Sequence, residues 1–173
     1  VNISVNAQGV FQRIVKPDAV GGSFVATHQD GWVKSTSAGP GLEFFLKYKI
    51  SPKMFVTAGT GISTIYDDML SCKNFKTTLL PTAEIKAGYN LFSVKHLSPF
   101  VFAGLQAYRW KSSSKLSTIS FGPYYDGGAF VGGGVEYAIN DQWIFNVSGD
   151  YRYIFTDNSN PKSKFWVAKS GLT

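Results

Sequence analysis

The clearest chemical feature of this sequence is a set of charged side chains that lie at alternating positions within otherwise apolar segments. They carry both signs and are Glu43, Lys47, Glu84, Lys86, Glu136, Asp150 and Arg152. In an extended strand, residues two apart point to the same side of the chain. Opposite charges that share an enclosed space would pair and hydrogen-bond, whereas the same charges on an outer surface would be solvated. The function therefore depends on which side of the strands is enclosed.

Residue sets suited to catalysis or metal binding are sparse. The two histidines, His28 and His96, lie in separate connecting segments, and no combination of Ser, His and acidic residues predicts a nucleophilic site. Asp67-Asp68 and Asp126 offer oxygen ligands, but they lack the glycine-containing spacing of a calcium loop. We therefore expect a protein that is not an enzyme and that has no metal site and no cofactor.

Composition excludes several classes of protein. The chain has 173 residues, which predicts a single domain over 1–173. Its net charge is +6, but the sequence contains no run of five basic residues, so we expect no nucleic acid as a partner. Charged residues make up only 16% and aromatic residues also 16%, whereas a typical soluble domain is about 25% charged. No apolar stretch is long enough for a transmembrane helix, and the lone Cys72 excludes an internal disulfide.

The elements that must position the charged residues are β-strands, because apolar and polar residues alternate with a period of two. This alternation predicts eight strands and no helix. The predicted strands are residues 3–15, 42–50, 54–66, 78–91, 100–110, 131–139, 142–155 and 164–173. The long first connection, 16–39, contains a further strand-like stretch at Ser23 to Ala26.

The predicted connections alternate in length. Short turns fall at 51–53, 92–99 and 140–141, and longer polar segments fall at 16–39, 67–76, 111–127 and 156–163. This pattern favours an all-β fold, a closed antiparallel up-and-down barrel of about eight strands with short turns at one end and long loops at the other. Binding residues collect on loops that a rigid scaffold supports. The loop residues that we expect to mediate interactions are Trp32, Lys111, Lys115, Tyr124 and Tyr125.

Aromatic residues mark the ends of the predicted strands. Tyr48, Tyr89, Tyr137 and Trp143 belong to the apolar face and lie next to short turns. Tyr and Trp are enriched at membrane–water interfaces, because their rings combine an apolar body with a polar tip. These four residues therefore predict an aromatic girdle at one bilayer interface. Candidates for a second girdle at the other end are Tyr66, Tyr108, Trp110, Tyr151, Tyr153 and Trp166.

The alternating segments resemble those of the small eight-stranded outer-membrane β-barrels, the OmpA- and OmpX-like class. The similarity covers nearly the whole chain and is carried by GLEFFLKYKISPKMFVTAGTGI, PTAEIKAGYNLF, SPFVFAGLQAYRW, GGGVEYAINDQWIFNVSGDYRYIF and KFWVAKSGLT. The resemblance implies bacterial outer-membrane localisation, short periplasmic turns, long external loops and periplasmic termini. One departure is Pro81, which removes a ladder hydrogen bond inside a strand and requires a bulge or a strand start.

We therefore expect an outer-membrane barrel whose polar lumen is plugged by the charged residues, with a structural, adhesive or surface-interaction role. Its partners would be the lipid bilayer or lipopolysaccharide, and a protein bound through the loops or by self-association. One alternative is a self-assembling barrel in an extracellular filament or sheet. Another is a soluble lipocalin-like barrel for a small apolar ligand, in which Leu42, Phe44 and Leu46 point inward while Glu84 and Lys86 are solvated.

Overall fold

The fold is an antiparallel β-barrel of eight strands. The computed structural model describes residues 17–30, 39–67, 75–114, 120–155 and 164–173. The strands are β1 (Ala19–Asp30), β2 (Gly39–Lys49), β3 (Met54–Asp67), β4 (Phe75–Asn90), β5 (Leu97–Ser114), β6 (Ser120–Ala138), β7 (Ile144–Phe155) and β8 (Lys164–Leu172). Each pairs with its sequence neighbour, and β1 pairs with β8 to close the barrel. The described ranges contain no helix that could span a membrane.

The prediction that residues 16–39 form a loop was wrong. The barrel begins with β1 at Ala19–Asp30, inside the segment predicted to be a loop, and the predicted strand 3–15 lies outside the described residues. Gly21 is required by packing. A Cβ atom at Gly21 would meet the ring of Phe45, whose Cε2 would be 2.7 Å away.

The strands β3 to β6 are longer than the barrel that they close. Among the described residues, β6 pairs with β7 from Gly127 toward the short-turn end, whereas its pairing with β5 extends up to Ser120. Residues 120–126 of β6 and the β5 residues opposite them therefore extend past the described end of β7. This corrects the predicted loop at 111–127, because Lys111 lies in β5 and Tyr124 and Tyr125 lie in β6. Trp32 and Lys115 lie outside the described residues.

The outer surface of the barrel is apolar. Phe24 on β1 is 73% exposed and Phe44 on β2 is 64% exposed. Leu42 and Leu46 are also exposed, while Glu84 and Lys86 point into the barrel. The soluble alternative predicted the opposite orientation for Leu42, Phe44, Leu46, Glu84 and Lys86, and it is wrong. An outer apolar face around a polar interior is the arrangement of a barrel that spans a membrane.

Aromatic rings fill much of the interior, and inward-facing glycines make room for them. Phe55, Phe100, Phe102 and Phe130 form one buried cluster in which consecutive rings lie about 6 Å apart. A Cβ atom at Gly132 would lie 2.6 Å from Cζ of Phe102. At several positions an inward glycine therefore makes room for a phenylalanine ring.

A second apolar cluster lies toward the loop end of the interior. It consists of Tyr108, Ile154, Phe165 and Val167. The prediction that Tyr108 belongs to an outer aromatic girdle was wrong, since this side chain is 3% exposed and points inward. Of the other girdle candidates at this end, Tyr66 and Trp110 have side chains outside the described set.

Pro81 lies at an irregularity in the sheet. The register between β4 and β5 shifts between Pro81 and Ala83. The bulge leaves Thr82 out of the ladder, directly after Pro81, while Pro81 itself lies opposite Tyr108. The expectation of a bulge or a strand start at Pro81 is met by the bulge.

Candidate functional site: the charged interior

The interior of the barrel contains ion pairs that join strands across it. Nearest the short-turn end, Lys47 of β2 pairs with Glu136 of β6. Their side chains are only 7% and 15% exposed. Alternation along each strand directs both residues inward, because their neighbours Leu46 and Tyr137 face outward.

The central group of charges is organised around Lys169 of β8. Its ammonium Nζ pairs with Glu43, and it lies 3.3 Å from Oε1 of Glu84 and 3.6 Å from Oδ2 of Asp150. Lys86 adds a second cation, 3.8 Å from Glu84 and 3.9 Å from Glu43. Each carboxylate therefore lies near at least one cation, which a buried charge requires.

Arg152 extends this group toward the loop end. Its guanidinium makes two contacts with Asp150, at 2.5 and 3.1 Å, and approaches Oε2 of Glu84 at 3.0 Å. It also donates to Oε1 of Gln106 at 2.8 Å. The planar guanidinium can satisfy several acceptors simultaneously, which a lysine ammonium cannot do in the same geometry.

Phenylalanine rings also contact the buried cationic side chains. Lys47 lies 4.3 Å from the ring centroid of Phe55, and Arg152 lies 5.0 Å from that of Phe130. Lys86 lies 5.2 Å from the centroid of Phe102. These are cation–π distances, so the aromatic rings contribute electrostatically as well as by filling space.

The structure places all seven charged residues named from the sequence inside the barrel. Sequence reasoning missed Lys169, which contacts more carboxylates than any other lysine in the described ranges. The three consecutive large apolar residues Phe165, Trp166 and Val167 obscured the parity of β8. Alternation continued backward from the exposed Leu172 would have placed Lys169 inside.

Within the described ranges, eight ion-paired side chains comprise four carboxylates and four cations. This described network is electrically balanced, although the whole chain carries a net charge of +6. Small spaces of about 20 and 30 Å³ remain between the described side chains. At the short-turn end the interior widens into a vestibule of about 420 Å³, which Asn90, Ser93 and Ser98 help to line.

The four predicted girdle residues lie near the short-turn end of the outer surface. Tyr89, Tyr137 and Trp143 are exposed, and Tyr48 is half-buried. At the loop end of the same surface, Trp166 is exposed and packs against Tyr151 with ring centroids 4.7 Å apart. Both ends of the outer apolar surface therefore carry aromatic side chains.

Residues that could perform other chemistry are dispersed. His28 lies near the loop-end terminus of β1, and His96 lies in the turn between β4 and β5 at the opposite end. Within the described residues there is no group of three or more His, Cys, Asp and Glu side chains arranged to hold a metal ion. The polar chemistry that the structure does bring together is the ion-pair network of the interior.

Comparison with known proteins agrees with this architecture. The family model described as "Outer membrane protein beta-barrel domain" matches residues 5–172. No curated protein sequence matches the chain significantly. Among solved structures, Neisserial surface protein A has a TM-score of 0.65 and 16% identity, with 88% of this chain and 93% of that chain covered.

Two further similar structures show that proteins with different roles share this fold. Ail, the attachment invasion locus protein of Yersinia pestis, has a TM-score of 0.55 and 13% identity over 88% of this chain and 92% of that chain. The outer membrane enzyme PagL has a TM-score of 0.53 and 12% identity over 89% and 97%. At such identities the similarity establishes the fold alone. The family model, together with the apolar outer surface, shows that this chain belongs to the outer membrane protein β-barrel family and lies in the bacterial outer membrane.

Proposed function

We propose that this protein is a non-conducting outer-membrane barrel that presents a binding surface outside the cell. The observation that carries the proposal is the pairing of β4, β5 and β6 at the loop end, which continues past Gly127, the last residue of β6 that pairs with a described residue of β7. A rigid sheet that extends past the membrane-spanning part supports interaction better than an unstructured loop. The role that we infer is adhesive or surface-interacting. Lipid would cover the apolar outer surface of the membrane-spanning part of the barrel.

The projecting sheet has an edge that can accept a partner strand. Among the described residues, 120–125 of β6 pair with β5 on one side, and no described strand lies opposite them on the other side. An unpaired edge offers a row of backbone N–H and C=O groups to an extended segment. Pro123 limits such pairing at its own position, because it has no N–H to donate.

Basic and aromatic residues accompany this edge. Arg109 of β5 lies opposite Tyr125 of β6, and both side chains are exposed. Lys111 follows two residues later in the same projecting strand, and Lys115 follows β5 in sequence. This combination favours a polyanionic ligand. Ail, a similar structure at a TM-score of 0.51, has been solved with the heparin analogue sucrose octasulfate, which makes sulfated polysaccharide a suitable probe.

Binding to immobilised heparin tests the surface role. Cells that display the protein should bind heparin, and the combined changes Arg109→Gln, Lys111→Gln and Lys115→Gln should reduce binding at least several-fold. The matched control is Lys53→Gln, which removes an exposed charge from the opposite end of the barrel. Equal binding by both variants would refute the polyanion assignment. Binding that a raised salt concentration does not weaken would also contradict it, since the attraction is electrostatic.

The ion-pair network supports a plugged lumen. Eight strands leave an interior only wide enough for side chains to fill, and here charged and aromatic residues occupy it. In planar bilayers we expect no steady ion conductance from the folded protein. A stable open channel in every reconstituted preparation would contradict the plug without bearing on the binding surface.

A further inference from the structure

The turn between β4 and β5 differs from the other two turns at the periplasmic end. Its hairpin, Leu91–Ser98, continues the strand pairing past the barrel: Leu91 donates to the carbonyl of Pro99 at 2.9 Å, and Val94 and Leu97 exchange backbone hydrogen bonds, also of 2.9 Å. By contrast, the turn between β2 and β3 closes at once, with Ile50 donating to the carbonyl of Met54. The hairpin therefore extends beyond the girdle residue Tyr89.

The outer side of this hairpin is apolar although it lies at the end of the barrel. Phe92 and Val94 are each 57% exposed, and Leu91 and Leu97 are exposed as well. The other side is polar: the hydroxyl groups of Ser93 and Ser98 lie 2.9 Å apart, and both residues line the vestibule. Exposing four large apolar side chains on one side of a turn is unfavourable in water, and such a patch marks a surface that contacts something apolar.

The apolar side is continuous with the surface that faces lipid. Leu97 lies opposite Tyr137 in the register of β5 and β6, and Tyr137 is an exposed residue of the outer face. His96 at the tip packs near the ring of Tyr137, with centroids 6.1 Å apart, and its carbonyl accepts from the amide of Ala138 at 2.8 Å. These contacts hold the hairpin against the outer wall beside β6.

The tip of the hairpin carries the charge that suits a lipid headgroup. Lys95 and His96 are both exposed, and Lys95 adopts a φ of 53°, the left-handed conformation that closes the two-residue turn. Apolar side chains beside a cation form the usual pattern of a segment that lies in the interface of a bilayer. The phosphates of phospholipids provide the complementary negative charge.

We propose that the hairpin Leu91–Ser98 inserts its apolar side into the periplasmic leaflet, with Lys95 and His96 at the level of the phospholipid phosphates. The surface that contacts lipid then extends further toward the periplasm at the β4–β5 turn than at the β2–β3 turn. This interaction depends on the outer-membrane location of the chain and is independent of the proposed surface binding.

Site-specific fluorescence in vesicles tests this inference. In a Cys72→Ser background, single cysteines at Phe92 and Val94 would carry a bimane label. Matched controls are Pro52→Cys and Asp141→Cys in the other two turns, and Val147→Cys provides a reference in the apolar band. The vesicles would contain phosphatidylethanolamine and phosphatidylglycerol, with a fraction of brominated chains. Heat-dependent electrophoretic mobility would confirm that each labelled barrel is folded.

We expect brominated lipid to quench the labels at 92 and 94 at least twofold more than those at 52 and 141. Acrylamide, which stays in water, should give the reverse order. Equal quenching of all four turn positions by acrylamide, with little quenching by brominated lipid, would overturn the proposal. Loss of the preference at 94 in the double variant Lys95→Gln and His96→Gln would support the role of these two tip residues. Retention of the preference would restrict the anchor to its apolar residues and overturn that part of the proposal.

Discussion

Lys169 and Glu84 meet across the full width of the barrel. The ammonium of Lys169 comes from β8, and the carboxylate of Glu84, 3.3 Å away, comes from β4, four strands distant in the closed sheet. Neighbouring strands are held by their backbone ladders, but only side chains can join opposite walls. The ion-pair network therefore connects parts of the barrel that backbone hydrogen bonds cannot join.

Removing the cation at position 169 should destabilise the barrel strongly. Lys169→Met leaves Glu43, Glu84 and Asp150 with one fewer buried counter-charge. Breaking a buried ion pair from one side costs about 3–5 kcal/mol. Urea unfolding in detergent micelles would measure the loss. The matched control is Lys164→Met on the same strand, where the lysine is exposed and the expected change is within about 0.5 kcal/mol. A similar small change for both variants would contradict a structural role for Lys169.

The pairing of inward glycines with phenylalanine rings predicts a second effect. Gly88→Ala places a methyl group against the ring of Phe55, and overpacking of this kind costs about 1–3 kcal/mol. At Gly149 the nearest atom to an added Cβ is a carbonyl oxygen 3.7 Å away, so Gly149→Ala should be nearly neutral. Combining Gly88→Ala with Phe55→Leu should recover part of the loss. Equal unfolding free energies for the two alanine variants would refute the packing argument.

Thr27 predicts a change of the opposite sign. Its hydroxyl is buried, with the residue only 2% exposed, and has no hydrogen-bond partner within the described part of the chain. A buried polar group without a partner costs about 1–3 kcal/mol, so Thr27→Val should raise the free energy of unfolding by about 1 kcal/mol.

A buried polar group that does have a partner provides the contrast to Thr27. Asn146 donates to the hydroxyl of Thr173 at 3.1 Å, and Asn146→Leu should lower stability because it removes that bond. The unfolding midpoint in urea measures both changes. Destabilisation by Thr27→Val would show that its hydroxyl is satisfied in the folded protein.

The sequence predicted the barrel and its charged interior because period-two alternation is strong where one face meets lipid and the other is enclosed. Glu43 and Lys47 on β2, and Glu84 and Lys86 on β4, could be assigned to one face from their apolar neighbours alone. Alternation could not identify β1, since Gly21 and Gly22 weaken both faces and glycine is also the commonest signal for a turn. Only the position of Phe45 shows why Gly21 is needed.

The ends of the strands were also beyond prediction. Gly122 and Pro123 fall within the predicted loop 111–127, yet they lie in β6 where its register with β5 shifts between Trp110 and Ser112. A bulge lets a strand continue through residues that would otherwise end it. Tyr108 was assigned to the outer surface because tyrosines concentrate at membrane interfaces, but the parity of β5 places it beside Ile154 in the interior.

The central claim is that the apolar side of every strand faces lipid while the charged side is enclosed. Spin labels placed one at a time along Ile144–Phe155 of β7, in a Cys72→Ser background in bilayers, test it most directly. Collision with oxygen, which dissolves in lipid, should be high at Phe145, Val147, Gly149 and Tyr151 and low at the alternate positions, with a period of two. Maximal oxygen access at Asn146, Ser148 and Asp150, or no alternation along β7, would contradict the account.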